Sequence, residues 1–249
     1  MTNFVPIVPL QTVVFPGEEC NLHITEVRYQ QLIQECFNAS KPFGVPPVIQ
    51  SSLQEMGTLV HITEIAKVYN DASMDVKTKG LHVFRILEVI HSIPNKLYSG
   101  AIVNYPDVHH ESNKRLLLSI IQAIKELHHL LHIHKEFPLP YETLTSYDLA
   151  RHAGLSLEEE YELLSLLRED QRLEYLKRHL RKVIPIIAAT EKLKSSTWSA
   201  ARASSERTKA DSAPRSQSTG ARTWRQIAIA SCTEYGSGLA QRWHGSIAS

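Results

Sequence analysis

The chain has 249 residues, of which 43% are hydrophobic, so it is long enough to bury one sizeable core or two small ones. Its formal net charge is +1, but residues 1–194 hold 20 basic and 23 acidic side chains, whereas residues 195–249 hold seven basic and three acidic ones. The body is therefore mildly acidic, at −3, and lacks the basic surface typical of a general nucleic-acid binder.

The first apolar run predicts a strand followed by a tight turn. Val5–Leu10 is bounded by Pro6 and Pro9, which cannot donate to a β-ladder and so mark the ends or an edge of the strand. Pro16 fixes its own φ, and Gly17 permits a positive φ. We therefore expect the chain to turn at these two residues.

A second strand, a helix and an edge strand are expected next. Alternation over Cys20–Ile24 predicts a strand with one apolar face, and Thr25 is placed to cap a helix that runs to about Cys36. Phe43–Ile49 contains Pro46-Pro47, which lack N–H donors. This segment is therefore predicted to be an edge strand.

The longest strands follow in the middle of the chain. Thr58–Tyr69 alternates except at Glu64-Ile65, where we expect a bulge or a twist. Met74–Lys79 alternates cleanly and leads into the apolar run Gly80–Val89. Leu97–Tyr105 completes the β portion of the chain.

Two of these segments resemble the N-terminal, substrate-recognition domain of Lon proteases. In that family a strand ending in Pro-Leu, a Val-Phe-Pro-Gly turn and a second strand lead directly into a helix, as Pro9-Leu10 and Val14–Gly17 do here. Lys79–Ile86 keeps the glycine, leucine, aromatic and arginine of a second family run. The resemblance covers residues 4–106 and implies an α+β fold: a PUA-like twisted, partly closed β-barrel with one inserted helix.

From Asn113 the apolar period becomes helical. A stripe over Leu117–Leu131 predicts a helix that runs as far as His134, and Phe137–Pro140 ends it. Further helices are predicted over Ser146–Ala153, Leu157–Leu167 and about Asp170–Ile184.

The ends of these helices carry local signals. Gly154 stands at a C′ position, and Ser156 and Glu159 form a capping box for the helix that follows. Leu149–Ser156 is similar to the corresponding stretch of stand-alone relatives of the Lon N-terminal domain. We expect a C-terminal helical bundle packed on or beside the barrel.

The composition changes abruptly after Lys194. Residues 195–249 contain 12 Ser and 10 Ala, hold all three Trp, and lack apolar periodicity. We predict three parts: a PUA-type β domain over 1–108, a helical bundle over 109–194, and a disordered tail over 195–249. The favoured interpretation is a disordered tail; sequence not native to the protein, such as a frameshifted or read-through end, and a basic functional tail are the two alternatives for its origin and role.

The chain lacks the sequence signatures of both enzymatic activities of Lon proteases, the ATPase and the protease. No window matches G-x-x-x-x-G-K-[ST], and no Ser in a small-residue context is followed by a positioned Lys. The resemblance therefore implies the recognition module without ATPase or protease, and we predict that the chain is not an enzyme and binds no cofactor.

Four histidines between residues 128 and 134 form the one cluster with ligand-like spacing. His128 and His132 are four residues apart, so on a helix both could reach one metal ion. A third ligand cannot be named, and a solvated helix face is favoured for this cluster, as it is for His109-His110 and His152. No metal site is predicted.

Three other positions carry reactive or charged side chains. Cys20 is better interpreted as a buried small hydrophobe than as a nucleophile. Glu158–Glu160 fits a charged first helical turn rather than an acid/base pair. Arg85 is either a paired structural arginine, which is favoured, or a ligand contact at the barrel surface.

By resemblance, the chain recognises unfolded or extended polypeptide, alone or as an adaptor for a protease or chaperone system. Open edges and apolar grooves can take an extended strand through main-chain hydrogen bonds. The edge predicted at residues 43–49 would supply apolar contacts from Phe43, Val45, Val48 and Ile49. Alternatively, its prolines only blunt the edge against aggregation. An RNA-binding PUA-like module is the second functional class, and the net charge argues against it.

The cysteines and the N-terminus indicate the compartment. Cys20, Cys36 and Cys232 form no CxxC pair, which fits a reducing environment. The first residues do not predict a signal peptide, and no apolar run approaches the roughly 18 residues of a membrane helix. A cytoplasmic protein with no membrane partner is expected.

Overall fold

A computed structural model describes residues 3–109, 113–133, 137 and 140–210. The strands are β1 (Asn3–Pro6), β2 (Glu19–Ile24), β3 (Phe43–Val45), β4 (Val48–Ile49), β5 (Ser52–Leu53), β6 (Met56–Val68), β7 (Met74–Ile90) and β8 (Gly100–Asn104). The helices are α1 (Val27–Asn38), α2 (Lys114–Leu130), α3 (Ser146–Ala153), α4 (Leu157–Ser165) and α5 (Glu169–Ala210), with a 3₁₀ turn over Tyr141–Thr143.

One six-stranded sheet organises the β part. Its order is β1-β8-β7-β6-β3, and β2 pairs with β7, while β4 and β5 form a separate two-stranded sheet. The two runs predicted around Gly80 are one strand of 17 residues. Because β7 is so long, residues 74–79 pair with β2 and residues 85–90 pair with β8. The predicted bulge in β6 is confirmed by a register shift between Ile62 and Glu64.

The sheet does not close into the predicted barrel. Residues after β1 approach β3 and the segment that follows it through isolated parallel bridges, Ile7 to Gly44 and Leu10 to Pro47. Val8 N–H donates to the Gly44 carbonyl at 2.9 Å, but Pro46 has no N–H to return a bond to Val8. The hydrogen-bond ladder between residues 7–10 and residues 44–47 is therefore interrupted. The PUA-like relation stays a prediction.

The turn predicted at Pro16 and Gly17 is confirmed in detail. Glu18 N–H donates to the Phe15 carbonyl at 3.1 Å, and Gly17 has a φ of 82°, which fits a type II turn. Gly17 N–H donates to Gly80 O at 2.9 Å, and Gly80 N–H donates to Glu18 O at 2.8 Å. Gly17 and Glu18 thus form a glycine bulge opposite Gly80, which starts β2 in register with β7.

The local helix signals are mostly confirmed. Gly154 ends α3 with a φ of 70°, and Ser156 and Glu159 form the capping box of α4. Thr25 is not the N-cap of α1, so that prediction is wrong. Glu26 takes the position and makes no side-chain cap bond, while the Thr25 carbonyl accepts from the Gln30 side chain at 2.9 Å.

The last helix differs most from the prediction. The sequence predicts an end near Ile184, but α5 continues through Pro185 to Ala210. One proline removes one helical hydrogen bond, which a long helix can tolerate on an exposed face. No helix or strand ends at residue 195, where the tail is predicted to begin. Residues 211–249 lie outside the described part of the chain. The three-part domain division stays a prediction.

The core joins the helices to the β part. Helices α2 to α5 share an apolar cluster that also includes Val13, Phe15, Met56 and Val83 from the β part. A second cluster lies under α1 and a third lies between β1, β8 and the centre of the sheet. In the described part of the chain, every helix is too short or too polar to cross a bilayer.

Candidate binding site

Strand β2 has an open edge. In the described part of the chain its one sheet neighbour is β7, with Glu19 opposite Lys79 and Ile24 opposite Met74. β2 is six residues long and contains no proline. An unpaired strand edge is a template for another extended chain, because its outer N–H and C=O groups are aligned in a row.

The bulge determines which backbone groups point outward. In an antiparallel pair, hydrogen-bonded and non-hydrogen-bonded residue pairs alternate. Gly80 exchanges bonds with Gly17 and Glu18, so the next bonded pairs are at Cys20, Leu22 and Ile24. The N–H and C=O groups of Glu19, Asn21 and His23 therefore point away from β7. We call these outward groups the β2 edge.

The two faces of β2 differ in character. Leu22 and Ile24 are buried in the cluster under α1, and Cys20 is half-buried beside them rather than fully buried as predicted. Glu19 and His23 on the opposite face are exposed. A strand added at the β2 edge would thus have one apolar side and one solvent side.

Arg151 of α3 anchors the start of β2 to the helices. Its guanidinium donates to the Val13 carbonyl at 2.8 Å and forms ion pairs with Glu18 and with Glu160, the latter at 3.2 Å. It also lies 4.7 Å from the Phe15 ring centroid. The turn before β2 is therefore held from the helical side, and the sequence pattern did not indicate this arginine.

Replacing Arg151 with methionine is expected to lower the free energy of unfolding by about 3 kcal/mol. The substitution leaves two acidic side chains, of which Glu160 is 7% exposed, without their shared cation. Urea unfolding monitored by circular dichroism measures the change.

Lys177→Met is the matched control for this substitution. Lys177 pairs with Glu174 on the surface of α5, where an ion pair contributes about 0–1 kcal/mol. Equal losses in the two variants would contradict the anchoring role of Arg151.

The predicted binding residues at 43–49 lie mostly inside the protein. Phe43 and Val45 are fully buried, Ile49 is 8% exposed, and Val48 is half-buried. β3 pairs with β6 on one side, and on the other side the main chain of residues 44–48 bonds to residues 8–10. A role for these four residues in binding stays a prediction, and in this conformation the first two side chains are inaccessible.

The histidine cluster is placed differently from the prediction. α2 ends at Leu130, and His132 has a φ of 53°, so His128 and His132 do not share a helix face. His128 and His152 are buried with their ring centroids 5.4 Å apart, so the solvated-face interpretation is wrong for these two. His110 and His134 lie outside the described residues. Within the described ranges, His, Cys, Asp and Glu side chains form no group of three that could hold a metal.

The remaining predicted positions have structural surroundings. Glu158–Glu160 forms the acidic first turn of α4, as predicted. Glu159 also contacts His179 at 3.0 Å, and this hydrogen bond lowers the pKa of the Glu159 carboxyl. Arg85 is exposed on β7 rather than buried, and both of its interpretations, as a paired structural arginine and as a ligand contact, stay predictions.

A concave surface, which we call the α2–α5 groove, lies between helices α2 and α5. It has a volume of about 370 Å³ and includes Ile120 and Leu180, each 1% exposed, with charged Glu126 and Arg181 alongside. Pro185 lies in the same groove and cannot donate the helical hydrogen bond to the Arg181 carbonyl. The groove can accommodate an apolar side chain and is the alternative to the β2 edge.

Comparison with known proteins identifies relatives of this architecture. A family model described as the ATP-dependent protease La (LON) substrate-binding domain matches residues 5–182. The Lon N-terminal domain protein from Xanthomonas campestris has a TM-score of 0.53 at 23% identity, covering 71% of this chain and 98% of that one. The N-terminal domain of Mycobacterium avium complex Lon protease has a TM-score of 0.55 at 15% identity, covering 73% and 100%. No curated protein matches the chain.

Proposed function

The chain belongs to the family of LON substrate-binding domains, and from this premise we propose that it recognises extended polypeptide without catalysing a reaction. The family description supports polypeptide as the ligand. The proposed role is that of a binding module, acting alone or as an adaptor that delivers bound segments to a protease or chaperone system. A cytoplasmic location stays a prediction.

The observation that carries this proposal is the β2 edge. Outward N–H and C=O groups at Glu19, Asn21 and His23 can bond to the main chain of an extended segment. Main-chain recognition is largely independent of sequence, which suits a module that meets many unfolded segments. RNA has no peptide backbone and therefore cannot add a strand to this edge.

We expect Asn21→Pro to weaken binding of an unfolded client about tenfold, because one outward donor is lost and a client carbonyl stays unpaired. Proline is tolerated on an edge strand when its missing N–H faces solvent. The ladder to β7 therefore survives, and the melting temperature should stay within a few degrees. Fluorescence anisotropy with a labelled, reduced and alkylated client protein measures the affinity.

Asn21→Ala is the matched control, because it removes the same side chain and keeps the N–H. Equal weakening by both variants would contradict main-chain recognition at the β2 edge. Loss of binding only with Ala123→Glu, in the α2–α5 groove, would move the site to that groove. Cleavage of the client on a gel, or its displacement by single-stranded RNA, would contradict the proposed function.

A further inference from the structure

The β2 edge is chemically asymmetric in a way that selects side chains as well as main chain. A segment added to this edge would place alternate residues on opposite faces of the sheet. One set would extend the apolar face of Leu22 and Ile24 and cover the half-buried Cys20. The other set would lie beside Glu19, Asn21 and His23 on the solvent face.

Charge on the solvent face is concentrated at one end of the edge. Of the three outward residues, Glu19 is the only one with a carboxylate, and it is exposed. His23 already contacts the Asp75 carboxylate at 2.6 Å, and Asp75 also accepts from Tyr69 at 2.7 Å. Asn21 is neutral. An incoming side chain opposite Glu19 would therefore meet a negative charge, and those opposite the other two would not.

The neighbouring lysines act on Glu19 itself more than on the incoming strand, and the charge of Lys77 interacts with that of Glu19. Lys79 is opposite Glu19, and Lys77 is opposite Asn21, but both lie on β7, on the far side of β2 from the incoming strand. Two strand spacings separate them from that strand, roughly 9.5 Å. This distance exceeds the Debye length of about 8 Å at physiological salt. Lys77 is also paired with Glu64 at 2.9 Å.

We propose that the preferred ligand of the β2 edge is an extended segment with a basic residue opposite Glu19 and apolar residues at the alternate, core-facing positions. This inference rests on the proposed function, because it assumes that a polypeptide adds to β2. In antiparallel addition, Thr-Val-Thr-Val-Lys places its first residue opposite His23, its valines on the apolar face and its lysine opposite Glu19. Thr-Val-Thr-Val-Glu places a like charge there.

The test reverses the charge at residue 19 and in the peptide. It measures the binding of the full chain to two labelled peptides that contain these sequences. The wild-type chain should bind the lysine peptide about threefold more tightly than the glutamate peptide, as cross-strand charge pairs do. Glu19→Lys should reverse the order, and Glu19→Gln should abolish it. The difference should nearly vanish in 1 M NaCl, where the Debye length is about 3 Å. Thermal melting of each variant checks that the fold is retained.

Three results would overturn the inference, and they differ in what they say of the proposed function. Equal binding of both peptides to the wild-type chain and to Glu19→Lys would reject the charge preference while leaving main-chain recognition in place. Binding of neither peptide, in an assay where the unfolded client also fails to bind, would reject both. A preference that persists unchanged in Asn21→Pro would place the charge-sensitive contact away from the β2 edge.

Discussion

Replacing Arg172 with methionine is expected to lower the free energy of unfolding by about 3–5 kcal/mol, the cost of breaking a buried ion pair. The Arg172 side chain is 0% exposed, and its guanidinium donates to Glu169 at 2.6 Å. Methionine fills much of the same volume but leaves the Glu169 carboxylate, 3% exposed, without a cation. The charge, rather than a cavity, is then the source of the loss.

The partners of Arg172 explain why the loss should be large. Its other nitrogens donate to the Ser146 hydroxyl at 2.8 Å and to the Leu166 carbonyl at 2.7 Å. Ser146 in turn donates its N–H to Glu169 at 2.7 Å, and the guanidinium lies 4.4 Å from the Tyr147 ring centroid. One side chain thus ties α5 to the start of α3 and the end of α4, and its loss affects all of them together.

Arg178→Met is the control, because it makes the same substitution on an exposed face of the same helix. Its effect should stay within about 0.5 kcal/mol. Urea denaturation of both variants, followed by circular dichroism, gives the two free energies. If Arg172→Met unfolds at the same urea concentration as Arg178→Met, the buried network makes no net contribution to stability.

Replacing Gly80 with alanine is expected to cost about 3 kcal/mol and to weaken client binding, because the added carbon overpacks a backbone contact. A Cβ at Gly80 would lie 2.2 Å from the Phe15 carbonyl oxygen and 3.1 Å from its carbon. Both are main-chain atoms of the type II turn and cannot rotate aside. The turn and the start of β2 must therefore move, which disturbs the β2 edge.

Gly17→Ala separates this steric effect from backbone strain. Gly17 has a φ of 82°, but a Cβ there meets nothing within 4 Å. The expected cost is the left-handed penalty alone, about 1–2 kcal/mol. Thermal melting and the anisotropy assay compare the two variants. A Gly80→Ala chain no less stable than Gly17→Ala would show that the close approach at Phe15 is relieved without cost.

Short-range features of this protein could be predicted from the sequence. The turn at Pro16 and Gly17, the C-cap at Gly154 and the capping box of Ser156 and Glu159 each depend on residues within four positions of one another. Their physical causes are a fixed φ, a permitted positive φ and a side chain that reaches a nearby N–H. These interactions form wherever the segment is placed in the fold.

The candidate site depended on contacts that no local pattern encodes. The sequence indicated an open edge at residues 43–49, since Pro46-Pro47 lack donors, but residues 8–10 lie along that segment and bond to it. An open edge lies instead on β2, whose residues alternate as those of any half-buried strand do. Whether a strand is an edge is decided by which strands pair beside it, and this pairing is a property of the whole sheet.

The sequence by itself determined the family, the turn before β2 and most helix ends, because each is carried by neighbouring residues. The tertiary structure alone decided that Arg151, 133 residues from Glu18, anchors that turn, and that Arg172 is buried between helices. It also decided that β2 has an open edge. From sequence alone, a charged side chain in a helix is predicted to face solvent. Its buried partners cannot be predicted, because only folding brings distant carboxylates and carbonyls within hydrogen-bonding distance.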